Sequence, residues 1–169
     1  MGRRGAPKPG AYVHQINVSN GGVPKRPVSE ARITVNGVNG DRQRRRSIHG
    51  GPNRAVCLFA LEVIEALRAE GHSVAPGSTG ENLTLAGLDW ATLKPGAVVR
   101  VGDTVVLEVT GYTAPCEQNA AWFLNGDYTR ISQKRHPGCS RLYARVLREG
   151  VTRTGDPVRI YSPAISHSR

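Results

Sequence analysis

A chain of 169 residues can fold as one domain with its own hydrophobic core, and it is too short for two domains of ordinary size. A hydrophobic fraction of 38% and a charged fraction of 21% are typical of a globular protein, and no run approaches the roughly 20 apolar residues that a membrane-spanning helix requires. The net charge of +10 is compatible with nucleic acid or with a phosphorylated ligand, and it does not decide between them.

Segments without hydrophobic periodicity stand at both ends of the chain. Residues 1–10 are basic and contain glycine and proline, so we expect a flexible leader, and residues 163–169 predict a flexible tail. The single domain is therefore expected at residues 11–162. No apolar stretch follows the N-terminal basic residues, which argues against an export signal and predicts a cytoplasmic protein.

Short β-prone runs recur along the domain, with glycine, asparagine and aspartate between them. They predict strands at residues 12–18, 31–35, 97–101, 105–110, 142–147 and 158–161. The segments 95–109 and 149–162 both place Gly-Asp before a β-prone run, and each predicts a hairpin. Because no regular alternation of strands and helices accompanies these runs, we predict a mainly β fold, an antiparallel barrel with one main helix.

One long helix is predicted at residues 53–70, because apolar residues recur there on one helical face: Val56, Phe59, Ala60, Val63, Ala66 and Leu67. Pro52 precedes this segment and Gly71 follows it, which are typical start and stop signals. A shorter helix is predicted at residues 117–124, ended by Asn125-Gly126.

Three glycine-containing loops have the composition of anion-binding loops. HGGPNR at residues 49–54 surrounds the start of the predicted long helix, where backbone N–H groups and cations favour a phosphate. SNGGVPKRP at residues 19–27 places Lys25 and Arg26 between two prolines, and GENLT at residues 80–84 places polar side chains before a β-prone step. Each loop taken alone is more often an ordinary turn.

No two of the three cysteines are spaced as a Cys-x-x-Cys pair, which argues against a disulfide framework or a structural zinc site. Cys57 falls inside the predicted long helix, where a small buried side chain is expected, and Cys139 lies in a loop. Cys116 follows Pro115 at the start of the shorter helix, where cations and the helix start favour the thiolate that attacks or binds a soft metal. A purely structural role for Cys116 stays open on these grounds.

The order of these loops resembles the MOSC domain, the C-terminal domain of eukaryotic molybdenum-cofactor sulfurases, and in particular its stand-alone bacterial members. The matching segments are GGVPK at 21–25, HGGPNRAV at 49–56, GENLT at 80–84, PGAVVRVGDTVVLEVT at 95–110, APC at 114–116 and GCSRLYARVLREGVTRTGDPV at 138–158. The resemblance covers nearly everything from residue 12 to residue 161, and it implies a mostly β, barrel-like fold.

The resemblance also implies a site for the molybdenum cofactor, Mo-molybdopterin, with Cys116 as the metal ligand and the pterin dithiolene supplying two further sulfurs. It implies that basic and glycine-containing loops hold the pterin phosphate, and the candidates here are Lys25, Arg46, His49, Gly50, Gly51 and Arg54. Asn82 matches the family's GENL loop near the cofactor. The segment before Cys116 lacks an arginine that often stands there in neighbouring subgroups, which leaves the substrate range open.

Well-studied relatives reduce N-hydroxylated compounds such as hydroxylamines, amidoximes, hydroxamic acids and N-hydroxylated bases. The resemblance therefore implies an oxidoreductase with Cys116 as its catalytic residue, in which metal and pterin perform the redox step and the protein sets ligation and access. The chain carries no recognisable flavin-binding or iron–sulfur motif. We expect an external flavoprotein or a ferredoxin-like protein as the electron donor.

Two other functions fit the sequence. Cys116 could hold a persulfide or the cofactor in a sulfur or molybdenum-cofactor carrier without redox activity. A basic module that binds nucleic acid or another anionic ligand would use the +10 charge, but 5% aromatic residues offer few platforms on which bases could stack. We therefore expect no specific nucleic-acid partner.

Overall fold

The computed structural model describes residues 10–42 and 51–161, so the expected tail and all but the last residue of the expected leader lie outside it. The strands within these ranges are β1 (Ala11–Val18), β2 (Arg26–Val28), β3 (Glu30–Thr34), β4 (Gly37–Val38), β5 (Val56–Ala60), β6 (Leu83–Ala86), β7 (Val98–Val101), β8 (Val105–Tyr112), β9 (Leu142–Arg148), β10 (Gly150–Arg153) and β11 (Pro157–Tyr161). One α-helix, α1 (Leu61–Ala69), accompanies them. Among the described residues, no helix has the length and apolar character that crossing a membrane would need.

Seven of these strands close into a barrel. Their order around the ring is β11-β7-β8-β9-β5-β6-β1, and β1 pairs with β11 to complete it, while β2 extends the sheet beside β1. The ring is antiparallel except between β5 and β6, which run parallel and are therefore joined by a crossover that contains α1. The mainly β, barrel-like fold and all six predicted strands are confirmed.

The Gly155-Asp156 turn does not close a hairpin, so the prediction for residues 149–162 is wrong. β10 pairs with β3 in a separate three-stranded sheet, whereas β11 pairs with β7 and β1 in the barrel. The turn carries the chain between the two sheets, and Asp156 Oδ2 fixes it by accepting a hydrogen bond from the Arg153 N–H at 2.8 Å. The other predicted hairpin is confirmed, since β7 and β8 pair antiparallel with Val101 opposite Val105.

The long helix predicted at residues 53–70 is wrong in its first half. A 3₁₀ turn at Pro52–Arg54 is followed by strand β5, and the helix begins only at Leu61. All of β5 is buried, because it pairs with β6 on one side and with β9 on the other. A continuous apolar run fits a strand covered on both faces as well as it fits one side of a helix, and here tertiary pairing selects the strand.

Strand β5 separates two hydrophobic clusters. Leu58 belongs to the core inside the barrel, with residues such as Val13 and Leu107. Phe59, the next residue, packs outside the barrel in a cluster formed by Ile64, Leu67, Val74, Phe123 and Ile131. The alternation places α1 against the outer side of the barrel, where it covers β5 and β6.

The segment predicted as a helix at residues 117–124 is helical but tighter than an α-helix. It forms 3₁₀ segments at Glu117–Trp122 and Leu124–Gly126, with Asn125 in the left-handed region at φ 56°. Two hydrogen bonds attach it to the chain after α1: Leu124 N–H donates to His72 Nδ1 at 3.0 Å, and Ser73 N–H donates to the Trp122 carbonyl at 2.8 Å. The residues that follow Cys116 are thus held against the end of α1.

Candidate functional site

Four strands of the barrel contribute residues to one pocket at the same end of the ring. Cys57 lies on β5, Asn82 directly precedes β6, Thr113 directly follows β8, and Tyr143 lies on β9 opposite Cys57. Leu58 pairs with both Leu83 and Leu142, and Tyr112 at the end of β8 also pairs with Leu142, so these positions lie at one level of the barrel. The space enclosed at this end is about 590 Å³ including its open mouth.

Three residues predicted from separate loops line this pocket together: Lys25, Asn82 and Cys116. Arg54 is exposed, and its guanidinium carbon stands 5.3 Å from the centroid of the Tyr143 ring, which is itself a pocket residue. The resemblance therefore selected residues that the fold gathers from distant parts of the chain.

The physical reason given for a phosphate cradle at HGGPNR does not hold. Gly51 is exposed at φ 94° and begins a three-residue 3₁₀ turn, while α1 starts ten residues later at Leu61. The dipole of an α-helix therefore does not act at the glycines. Three further predicted anchors, Arg46, His49 and Gly50, lie outside the described residues, and their assignment stays a prediction.

A buried carboxylate holds two of the pocket residues in place. Asp41 Oδ2 accepts hydrogen bonds from Lys25 Nζ at 2.6 Å and from Asn82 Nδ2 at 2.9 Å, while Oδ1 accepts one from Ser19 N–H at 2.9 Å. The Lys25 and Asp41 side chains are only 9% and 5% exposed. Asn82 Oδ1 also accepts from the Cys57 N–H at 3.0 Å, so the amide connects Asp41 with β5. The ammonium is thus fixed at the pocket with its charge partly compensated.

The backbone of Lys25 packs closely against the loop at residues 75–80. Its N–H donates to the Gly77 carbonyl at 2.9 Å, and a Cβ at Gly77, where φ is +84°, would stand 2.5 Å from the Lys25 carbonyl oxygen. Glu81 lies fully buried beside this loop and accepts a hydrogen bond from Gly77 N–H at 3.0 Å. Burial raises the pKa of Glu81 to about 7.

Arg141 is a pocket residue that the sequence analysis missed. It is 5% exposed, and it donates from Nη1 to the Thr79 carbonyl at 2.6 Å and from Nη2 to the Ala114 carbonyl at 3.2 Å. The arginine therefore ties the loop that carries Thr79 to the segment that leads into Cys116. The available signal was its place in the matching segment GCSRLYARVLREGVTRTGDPV at residues 138–158.

The three cysteines have different surroundings. Cys116 is partly exposed and lines the pocket. Cys57 also lines it, but from a strand and not from a helix, and burial raises the pKa of its thiol, so Cys57 stays protonated. Cys139 is not among the pocket-lining residues of the described chain. The structure therefore favours Cys116 over the other two as the accessible thiol in the pocket.

Tyr143 adds a neutral hydrogen-bonding group. Burial raises the pKa of its phenol to about 12, so the hydroxyl keeps its proton at neutral pH. The pocket thus combines one accessible thiol, cationic side chains and neutral polar groups.

Comparisons with known proteins identify one matching family and two similar chains. A family model described as MOSC domain matches residues 45–159, which is more than half of the chain. The uncharacterized protein YflK of Bacillus subtilis is 31% identical over 143 residues, covering 83% of this chain and 63% of YflK. Protein YiiM of Escherichia coli is 30% identical over 109 residues, covering 62% of this chain and 48% of YiiM. The chain thus spans less than two thirds of the length of either relative.

Solved structures share the fold. The crystal structure of YiiM from Geobacillus stearothermophilus has a TM-score of 0.69 at 23% identity, covering 92% of this chain and 77% of that one. A crystal structure described as a hypothetical protein has a TM-score of 0.71 at 26% identity, with coverages of 91% and 70%. YiiM from Escherichia coli has a TM-score of 0.69 at 24% identity, with coverages of 92% and 71%.

Proposed function

This chain belongs to the MOSC domain family, and on that premise we propose that its pocket binds the molybdenum cofactor and reduces N-hydroxylated compounds. The observation that carries the proposal is the position of Cys116, a partly exposed thiol in a pocket that is also lined by Lys25, Arg42 and Arg141. A thiolate is a soft ligand that suits a thiophilic metal, and the cations suit an anionic pterin phosphate.

The pocket fits such a group in its chemistry, since a thiol, cationic side chains and neutral polar groups line it together. Its wall also contains buried polar atoms that lack hydrogen-bond partners among the described residues, including Arg141 Nε. A buried guanidinium whose Nε–H has no partner among the described residues favours a polar acceptor beside it.

Reduction of a hydroxylamine to an amine breaks one N–O bond, consumes two electrons and two protons, and releases water. The cofactor, when bound, would supply the two-electron step and the oxygen-accepting metal. Within this chain, Cys116 would ligate the metal, and Lys25, with Asn82 beside it, would hold the cofactor against the wall fixed by Asp41. Tyr143 would form part of the pocket wall with a neutral phenol.

The electrons would come from a separate protein of the flavoprotein or ferredoxin-like class. Arg42 lines the pocket and Arg54 lies over the ring of the pocket residue Tyr143, and these exposed cations favour a docking partner with an acidic surface. Arg46, His49 and Gly50 belong to the segment between these two arginines and remain candidate anchors for the phosphate.

Substitution of Cys116 tests the proposal. The Cys116→Ser variant should fold and keep much of its pterin, because the phosphate contacts persist, yet it should lose reduction of an N-hydroxylated base, since a serine oxygen is a harder ligand. Molybdenum and pterin contents are measured together with the rate, using a competent electron donor. Cys139→Ser is the matched control and should keep activity, because Cys139 lies outside the pocket lining. Wild-type turnover by fully loaded Cys116→Ser protein would refute the role of Cys116.

A carrier function would give a different pattern in the same experiment. A protein that only stores or passes on the cofactor would contain molybdenum and pterin, and neither the wild type nor Cys139→Ser would reduce the substrate. That outcome would keep the cofactor site and reject the proposed reaction.

A further inference from the structure

Three pocket residues have buried polar atoms without hydrogen-bond partners in the described part of the chain. These atoms are Thr79 Oγ1, Asn119 Oδ1 and Arg141 Nε. Thr79 and Asn119 are each 1% exposed, and Arg141 is 5% exposed. Native proteins leave few buried polar groups unsatisfied, because each one destabilises the fold. A group of three in one pocket wall indicates a ligand that supplies the missing partners.

Two of these side chains donate hydrogen bonds to the backbone carbonyl of Thr79. Arg141 Nη1 donates to the Thr79 carbonyl at 2.6 Å, and Asn119 Nδ2 donates to the same oxygen at 3.2 Å. Because a carbonyl only accepts, the Asn119 nitrogen must face Thr79, which leaves the amide oxygen as a free acceptor. Arg141 uses both terminal nitrogens on carbonyls, which leaves Nε–H as a free donor. The Thr79 hydroxyl can donate or accept.

The same residues flank Cys116. Asn119 N–H donates to the Cys116 carbonyl at 2.9 Å, and Arg141 Nη2 donates to the Ala114 carbonyl two residues before the cysteine. A ligand group that satisfied Asn119 and Arg141 would therefore be held in the same part of the pocket as the Cys116 thiol.

We propose that Thr79, Asn119 and Arg141 form a subsite that recognises the amide-like edge of a planar nitrogen heterocycle. Such an edge places an N–H donor beside a carbonyl or ring-nitrogen acceptor, and these groups complement the Asn119 acceptor and the Arg141 donor. Phosphate fits less well, since its oxygens are acceptors that would face the Asn119 oxygen. The choice of ligands rests on the proposed function: the pterin ring of the cofactor and an N-hydroxylated base both present this edge.

The Thr79→Val variant tests the subsite, because valine has the shape of threonine and lacks only the hydroxyl. Thr152→Val is the matched control: Thr152 is also fully buried with an unpartnered hydroxyl, but it lies on β10 in the three-stranded sheet. Thr79→Ser keeps the hydroxyl and should rescue binding. Two readouts are made without an electron donor: the pterin retained per chain after purification from a cofactor-competent host, and the calorimetric affinity for N4-hydroxycytosine.

We expect Thr79→Val to lower either the pterin retention or the affinity for N4-hydroxycytosine by about tenfold, which corresponds to the loss of roughly one hydrogen bond. Thr79→Ser and Thr152→Val should bind both ligands like the wild type. Reduced pterin retention alone would identify the cofactor ring as the ligand, and reduced base affinity alone would identify the substrate. Unchanged binding in both readouts would overturn the proposal and leave water as the partner of these atoms.

Failure of the proposed function and failure of the subsite give different results. If the wild type carries no molybdenum, the reaction is rejected, and titrations of the free protein with N4-hydroxycytosine and with 6-hydroxymethylpterin decide the subsite. Wild-type protein that binds neither probe would overturn it.

Discussion

Glu81 is the buried acid that supports the loop carrying Thr79. Its two carboxyl oxygens accept hydrogen bonds from Gly77 N–H at 3.0 Å and from the Thr84 hydroxyl at 3.3 Å. Burial favours the neutral acid and raises its pKa from the ordinary 4.5 to about 7. The folded protein therefore holds a proton that the unfolded chain releases at lower pH.

This proton makes stability depend on pH. The contribution is fully present below about pH 4.5 and is lost as the pH rises toward 7, because the folded state binds the proton more tightly. Its size is on the order of 3 kcal/mol. In Glu81→Gln the amide cannot titrate, so the free energy of unfolding in urea should change less between pH 4.5 and 8 than in the wild type. The exposed Glu65→Gln control should follow the wild-type profile, and a Glu81→Gln profile that also follows it would contradict the assignment.

At this scale the sequence could indicate candidate residues in loop motifs, but it did not single out Arg141 within the matching segment at residues 138–158. Lys25, Asn82 and Cys116 stand in recognisable loops, and all three line the pocket. Arg141 and Asn119 escaped because their roles depend on the Thr79 carbonyl, which lies 62 and 40 residues away in the chain. Contacts at such separations follow from the closed ring of strands and not from any local pattern.

Strand β5 is the element that joins the site to the rest of the fold. Cys57 lies in the pocket, Leu58 packs in the barrel core, and Phe59 packs on the opposite face against α1. Three successive residues thus contribute to the site, to the barrel and to the outer cluster.

Truncation of Phe59 tests how much the outer cluster contributes to stability. The side chain is 0% exposed, so Phe59→Ala should lower the free energy of unfolding by roughly 3–5 kcal/mol through lost burial and a residual cavity. Leu147→Ala, at a position 49% exposed on β9, should change it by less than about 0.5 kcal/mol. Chemical denaturation measures both, and similar losses in the two variants would contradict the two-cluster description.

The element boundaries show where local patterns stop being informative. Alternating strands such as β8 were predictable because one face is buried and the other is not. β5 was not, because its apolar run also satisfies a helical pattern, and only its pairing with β6 and β9 decides the outcome. The turn at Gly155-Asp156 likewise has hairpin composition, but β10 finds its partner in β3.

For the molecule as a whole, the charge of +10 is compatible with more than one class of partner. The fold shows where some of the cationic side chains lie. Part of this charge lies at one pocket, which is lined by Lys25, Arg42 and Arg141 together with the Cys116 thiol. A nucleic-acid module would spread its cations over an outer surface with aromatic platforms. We therefore expect the cations at the pocket to bind a small anionic ligand.

The most direct test of this account is the molybdenum and pterin content of the full chain, purified from a host that makes the molybdenum cofactor. Metal is determined by elemental analysis and pterin by fluorescence after oxidative release. The account predicts equimolar molybdenum and pterin bound to folded protein. Folded protein that contains neither, from cells whose other molybdenum enzymes are loaded, would contradict it.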